Sequence, residues 1–148
     1  MEELRSTIQT MARRFGFLNK NCCVVAGCDI SLVQSHILYE IDRRHEPSMQ
    51  QVANALGMDV TTFSRQIQSL IKMKLVVKTA SSADRRVYLL SLTTEGKFAA
   101  TAIDEEMKRY LNEVFSRMNE FERETVIRSL KLLNDSMAKS SVCCSPFM

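Results

Sequence analysis

The stretch Ser48-Met49-Gln50-Gln51-Val52-Ala53-Asn54-Ala55-Leu56-Gly57-Met58-Asp59-Val60-Thr61-Thr62-Phe63-Ser64-Arg65-Gln66-Ile67 decides the fold, because it encodes two short helices and the turn between them. Ser48 and Gln51 form a capping box, in which each side chain can satisfy a backbone N–H that the first helical turn leaves unpaired. Met49, Val52, Ala53 and Leu56 then recur at i, i+3, i+4 and i+7, the spacing of one helix face, and Gly57 stands at the C-terminal cap. Asp59 caps the next helix, whose predicted buried stripe is Val60, Phe63, Ile67, Leu70 and Ile71. Its outward face carries Thr61, Thr62, Ser64, Arg65, Gln66, Gln68 and Ser69. Outward helix faces usually carry Glu and Lys, which propagate helix well; hydroxyls, amides and one Arg suit base edges and phosphates instead.

Downstream the period changes from helical to extended. Leu75 to Thr79 and Val87 to Leu92 are predicted strands, joined by a polar turn from Ala80 to Arg86 that holds Ser81, Ser82, Asp84, Arg85 and Arg86. Such a tip is too hydrophilic for a core and suits a loop projecting toward a phosphate backbone. Thr93 caps a long helix from Glu95 to about Met118, with Met107, Leu111, Val114 and Met118 on one seam. Asn119 and Glu122 restart the chain into a last helix expected to bury Val126, Leu130, Leu133 and Met137.

Upstream, Ser31 and Gln34 form another capping box, and the helix they open ends near Arg44, before His45-Glu46-Pro47. Leu4, Ile8, Met11, Phe15 and Leu18 are spaced 4, 3, 4 and 3 apart, a heptad-like seam on a first helix. Between Asn19 and Ile30 the pattern breaks into a predicted loop. Both ends of the chain therefore carry apolar seams that one helix cannot bury alone.

Composition agrees with a single, mainly helical unit: 148 residues, 45% hydrophobic, only four Gly and two Pro. No window approaches the apolar length of a membrane span, and Met1-Glu2-Glu3 lacks the basic-then-apolar order of a signal peptide, so the expectation is a cytoplasmic protein with no membrane partner. The net charge of +3 is unevenly placed: residues 59–97 hold seven basic side chains against three acidic, while the flanks are near neutral.

Two short helices joined at Gly57-Met58-Asp59 and followed by a two-stranded wing make a winged helix-turn-helix, mainly α with a small β-wing. The stretch Ser48 to Gly96 resembles the MarR (multiple antibiotic resistance regulator) family of transcription regulators. The resemblance is carried by the helix Met49 to Gly57, the wing residues Asp84-Arg85-Arg86, and Leu92-Thr93-Thr94-Glu95-Gly96, which is similar to the family's Leu-Thr-x-x-Gly. It extends over about Leu4 to Met137. It implies a homodimer in which residues 1–30 and 98–148 supply helical dimerisation elements and residues 31–97 form the DNA-binding domain. It places Thr61, Thr62, Ser64, Arg65, Gln66 and Ser69 in or beside a major groove, with Arg85 or Arg86 reaching a minor groove or its phosphates and Asp84 orienting a neighbouring arginine. The implied partner is double-stranded DNA with an inverted-repeat operator. The expected role is repression, although the residues themselves do not separate repression from activation.

Five cysteines depart from the family's pattern: Cys22, Cys23 and Cys28 between the first two helices, and Cys143 and Cys144 after the last. Neighbouring cysteines have Cα atoms about 3.8 Å apart, below the usual disulfide range of about 4.4–6.8 Å, so neither adjacent pair suits a bond within itself. Thiolates from the two groups could converge in a dimer, there to bind arsenite or another thiophilic metal ion, or to oxidise across it. Ordinary reduced thiols are the alternative. A small phenolic or lipophilic effector is a further alternative, with Met11, Phe15, Tyr39 and Met107 as candidate lining and His36 in that pocket or the core. Two other classes compete less well. A thiol-based enzyme lacks support, since there is no Cys-x-x-Cys, Gly-rich nucleotide loop or recognisable triad, and a helix-turn-helix serving only protein contacts would not need the basic hairpin.

Overall fold

The computed structural model describes residues 1–15 and 28–140 and, besides these, the backbone of residues 23–25; of residue 28 it likewise describes the backbone. The elements run α1 (Glu2–Arg14), β1 (Cys23–Val25), β2 (Cys28–Ile30), α2 (Leu32–Arg43), α3 (Met49–Ala55), α4 (Val60–Lys72), β3 (Val76–Ala80), β4 (Tyr88–Leu92), α5 (Thr94–Ser116) and α6 (Glu120–Ala138). The winged helix-turn-helix reading is thereby met, with six helices among the described residues and a two-stranded wing. The chain forms two compact units, Met1–Glu105 and Glu106–Met148, and the division falls within α5.

Most helix starts follow from side-chain caps. Ser31, Ser48 and Asn119 each accept a hydrogen bond from the backbone N–H of Gln34, Gln51 and Glu122, whose side chains accept the reciprocal bond. Two helix ends are alike in geometry and different in residue. After α3, Gly57 takes φ 63° while its N–H donates to the Asn54 carbonyl and that of Met58 to Ala53. After α4, Lys74 takes φ 59° with the same pair of bonds, to Ile71 and, from Leu75, to Leu70. Both are Schellman ends, and a left-handed Cβ is accepted at Lys74 where glycine is usual.

The core of the first unit gathers Ile30, Ile37, Leu38, Ile41, Val52, Ala53, Phe63, Ile67, Leu70, Leu75, Val76, Leu90, Ala99 and Ala100. It joins α2, α3, α4, the wing and the start of α5 into the platform that holds the helix pair. Two buried polar side chains are satisfied within it. Ser35 Oγ donates to the Leu32 carbonyl, and Gln34 Nε2 donates to Ser69 Oγ of α4 at 3.2 Å.

Three expectations change. The segment before α2 is not simply a loop: β1 and β2 pair antiparallel, with Cys23 opposite Ile30, Val24 opposite Asp29 and Val25 opposite Cys28. Val60 and Ile71 are exposed, and only Phe63, Ile67 and Leu70 of the predicted α4 stripe are buried, because Val60, Ser64 and Ile71 share a flank that turns away from the core. Leu130, Leu133 and Met137 of α6 are exposed in the single chain, as are Leu4, Ile8, Met11 and Phe15 of α1. The more distal part of the α1 seam, Leu18, lies outside the described residues.

Candidate nucleic-acid interface

The helix pair is fixed by its turn. Gly57 closes α3 in the left-handed conformation, and Asp59 opens α4 by accepting the Thr62 N–H at 2.9 Å. That bond to the backbone of Thr62, with further contact to its side chain, holds the exposed Asp59 carboxyl below its ordinary range. The buried row Phe63, Ile67 and Leu70 docks α4 on the core, so the opposite row must face outward. That row is Thr61, Arg65, Gln68 and Lys72, at i, i+4, i+7 and i+11, all exposed. Arg65 has no ion-pair partner among the described residues, which leaves its guanidinium open to an external acceptor.

The other residues expected on this surface occupy its margins. Thr62 is exposed, whereas Ser64, Gln66 and Ser69 are half-buried, and the Ser69 hydroxyl is already engaged by Gln34. Gln68 and Lys72 therefore stand more squarely on the open face than Gln66 does. The signal that ranks them was the register against Phe63, Ile67 and Leu70, which the residue types alone do not give.

The wing rises from a tightly knitted base. β3 and β4 pair antiparallel from Val76 opposite Leu92 to Ala80 opposite Tyr88, and Ser48 bridges to Leu89 while the Leu90 N–H donates to the Pro47 carbonyl. Thr93 secures the exit: its N–H donates to the Leu75 carbonyl, its hydroxyl donates to the Lys74 carbonyl, and the same oxygen accepts the Gly96 N–H. Gly96 is there for space. A Cβ would sit 2.9 Å from the Leu75 carbonyl carbon and nearer still to its oxygen. These bonds give the Leu-Thr-x-x-Gly pattern its physical content.

At the tip, Asp84 Oδ1 accepts from the backbone N–H of Arg86 at 3.0 Å and from its Nε at 3.4 Å. Asp84 thus orients Arg86, whose side chain is almost fully exposed, and Arg85 is exposed beside it. Nearer the base, the Lys78 ammonium lies 4.2 Å from the centre of the Tyr88 ring.

Of the cysteines, Cys23 and Cys28 fall in the paired strands β1 and β2, while Cys22, Cys143 and Cys144 lie outside the described residues. No group of His, Cys, Asp or Glu among the described residues is arranged to hold a metal ion. A shallow groove of about 220 Å³ is lined by Leu32, Val33, His36, Leu56 and Met58. Met11, Phe15 and Tyr39 do not line it, and Tyr39 instead lies under the Arg43 guanidinium. Among the described residues no helix is long and apolar enough to cross a membrane.

Comparison with known proteins agrees with this geometry. Residues 29–87 match the family model described as MarR family. Over 91 residues the chain is 33% identical to a candidate transcriptional regulatory protein for the hcr operon of Thauera aromatica, a match that covers 60% of this chain and 55% of that protein. The matched region thus spans about half the length of this curated relative. Among solved structures, FabT of Streptococcus pneumoniae in complex with DNA is similar with a TM-score of 0.82 at 18% identity, over 93% of this chain and 96% of that one. MepR of S. aureus in complex with DNA gives 0.74 at 21% identity, over 90% and 97% of the two chains. A MarR protein from Peptoclostridium difficile gives 0.76 at 24% identity, over 92% and 87%. At these identities the structural likenesses establish the fold.

Proposed function

We propose that this chain, whose residues 29–87 match the MarR family model, is a homodimeric regulator of transcription, a repressor in the cytoplasm, that binds an inverted-repeat operator in double-stranded DNA. The observation that carries the reading is the open row Thr61, Arg65, Gln68 and Lys72 on a helix held by its opposite face, with an arginine-tipped wing on the same platform. Thr62, Ser64, Gln66 and Ser69 border that row, and Arg85 and Arg86 reach the adjoining minor groove or its phosphates. Hydroxyl, amide and guanidinium groups recognise base edges, and the wing cations bind phosphates without regard to sequence.

Dimerisation follows from the exposed seams. Residues 1–30 and 98–148 supply the interface, because Leu4, Ile8 and Met11 of α1 and the row Leu130, Leu133 and Met137 of α6 are exposed apolar side chains among the described residues. Residues 31–97 are the DNA-binding part. Two copies would hold two α4 helices for half-sites about one helical turn, roughly 34–36 Å, apart.

For the effector, the cysteines are the favoured sensor. The strand register sets Cys28 opposite Val25, two residues along β1 from Cys23, with Cys22 next to Cys23 in sequence and Cys143 and Cys144 in the tail. Thiolates so grouped suit arsenite or another thiophilic metal ion, or an oxidant. The alternative is a small organic ligand in the groove beside His36, with incidental cysteines. The test is binding to the DNA upstream of the protein's own gene, with and without arsenite, a second soft metal and peroxide. Release by one of these, abolished by changing Cys22, Cys23 and Cys28 to Ser, supports the sensor; a response unchanged in that variant removes the cysteines from it.

A further inference from the structure

Lys72, Lys74 and Lys78 contribute alike to the basic middle of the sequence, but the structure separates them. Lys78 stands directly opposite Leu90 and two residues beyond Val76, so it shares their face of the wing. Val76 and Leu90 are buried in the same core as Ile67 and Leu70 of α4. Lys78 therefore emerges from the wing face that meets α4, at the point where the core ends and the surface becomes exposed. Tyr88, opposite Ala80, lies on the same face, and its ring is 4.2 Å from the Lys78 ammonium.

This position matters if α4 occupies a major groove and the wing tip the adjoining minor groove. The sugar–phosphate strand that separates those grooves must then cross the surface between helix and wing. A flexible lysine normally loses side-chain freedom when it binds a phosphate. A lysine already resting on an aromatic face loses less.

We propose that Lys78 is a phosphate clamp for the DNA strand running between α4 and the wing, and that Tyr88 is its positioning residue, holding the ammonium in place through its ring face. The proposal rests on the DNA-binding reading and adds to it a contact that reads no sequence. Asp84 fulfils the parallel task for Arg86 at the tip, so the wing presents two oriented cations, one held by a side chain of the facing strand and one by a side chain of the same turn.

The test uses the full chain, a mixed-sequence duplex and the DNA upstream of its own gene, with affinity measured across a range of salt concentrations. Lys78→Gln lowers the slope of log K against log salt by about 0.9 per bound protomer on both DNAs. Lys78→Arg restores it, and Lys139→Gln, at the C-terminal cap of α6, leaves it unchanged. Tyr88→Phe keeps the ring and binds as the wild type does. Tyr88→Leu weakens binding by about two- to fivefold per protomer, the value of an exposed cation–π contact. Thermal melts accompany each variant, and the Lys78 slope stands independently should Tyr88→Leu fail to fold. An unchanged slope for Lys78→Gln, or equal affinity for Tyr88→Leu and Tyr88→Phe, overturns the proposal while leaving DNA binding intact. Absence of binding by the wild-type chain to either DNA overturns the DNA-binding reading, and this one with it.

Discussion

Gly96→Ala adds one methyl group where α5 leaves the wing, at a place that the Leu75 backbone already occupies. The added Cβ would lie 2.9 Å from the Leu75 carbonyl carbon and 3.3 Å from its Cα, with the carbonyl oxygen closer than either. Neither neighbour is the end of a movable side chain, so strand or helix must shift. Inserting a methyl into packed backbone costs about 1–3 kcal/mol. The shift also strains the bond from the Thr93 N–H to the same carbonyl, worth about 1 kcal/mol. Against this stands the higher helix propensity of alanine, also about 1 kcal/mol. The balance is a loss of about 1–3 kcal/mol, or roughly 3–10 °C in Tm for a chain of this size. Denaturant titration and thermal melting of the full chain read it directly. If Gly96→Ala matches or exceeds the wild type in stability, propensity dominates and the close approach to Leu75 does not define this junction.

Lys74→Gly is expected to act in the opposite direction, raising stability by about 0.5–1 kcal/mol, because Lys74 holds φ 59° at the end of α4, where a Cβ is strained; a melt no higher than wild type would contradict this. Asp59 ties its depressed pKa to the α4 cap, so its contribution is present above the ordinary value of 3.8 and fades as pH falls through the lower folded value. Asp59→Asn, which keeps an acceptor without a titrating proton, should therefore flatten the acid limb of the stability profile, and an unchanged limb would assign it to other carboxyls. Leu130→Glu on the exposed α6 seam should convert the proposed dimer to monomer in sedimentation velocity, with helical content retained.

What was legible in the sequence was local. The capping boxes at Ser31, Ser48 and Asn119 carry both halves of their hydrogen-bond pairs within four residues, so they can be read without a tertiary structure. The wing was legible from the change of period and the polar tip, with strand limits displaced by a residue or so. What escaped depended on neighbours. β1 and β2 are three residues each, too short for an alternating pattern to register, and the cysteines drew that segment toward chemistry instead of pairing. Val60 and Ile71 looked buried because a helical stripe can be drawn through them, yet the core covers a narrower arc. The predicted stripe already held Phe63, Ile67 and Leu70, so the place of Gln68 on the open face was within reach of the sequence, whereas no residue type announces that Ser69 is held by Gln34 across 35 positions of chain.

The most direct measurement is the ratio of affinities for the DNA upstream of the protein's own gene and for a mixed-sequence duplex at one salt concentration, in wild type and in Arg65→Ala. The wild-type ratio is expected at about 10³ or more, as for specific regulators. Arg65→Ala is expected to lower it by at least about tenfold per half-site while the melt is unchanged. Equal affinities for the two DNAs in the wild type, or a ratio that Arg65→Ala does not alter, would contradict the assignment of the α4 face as the sequence-reading surface.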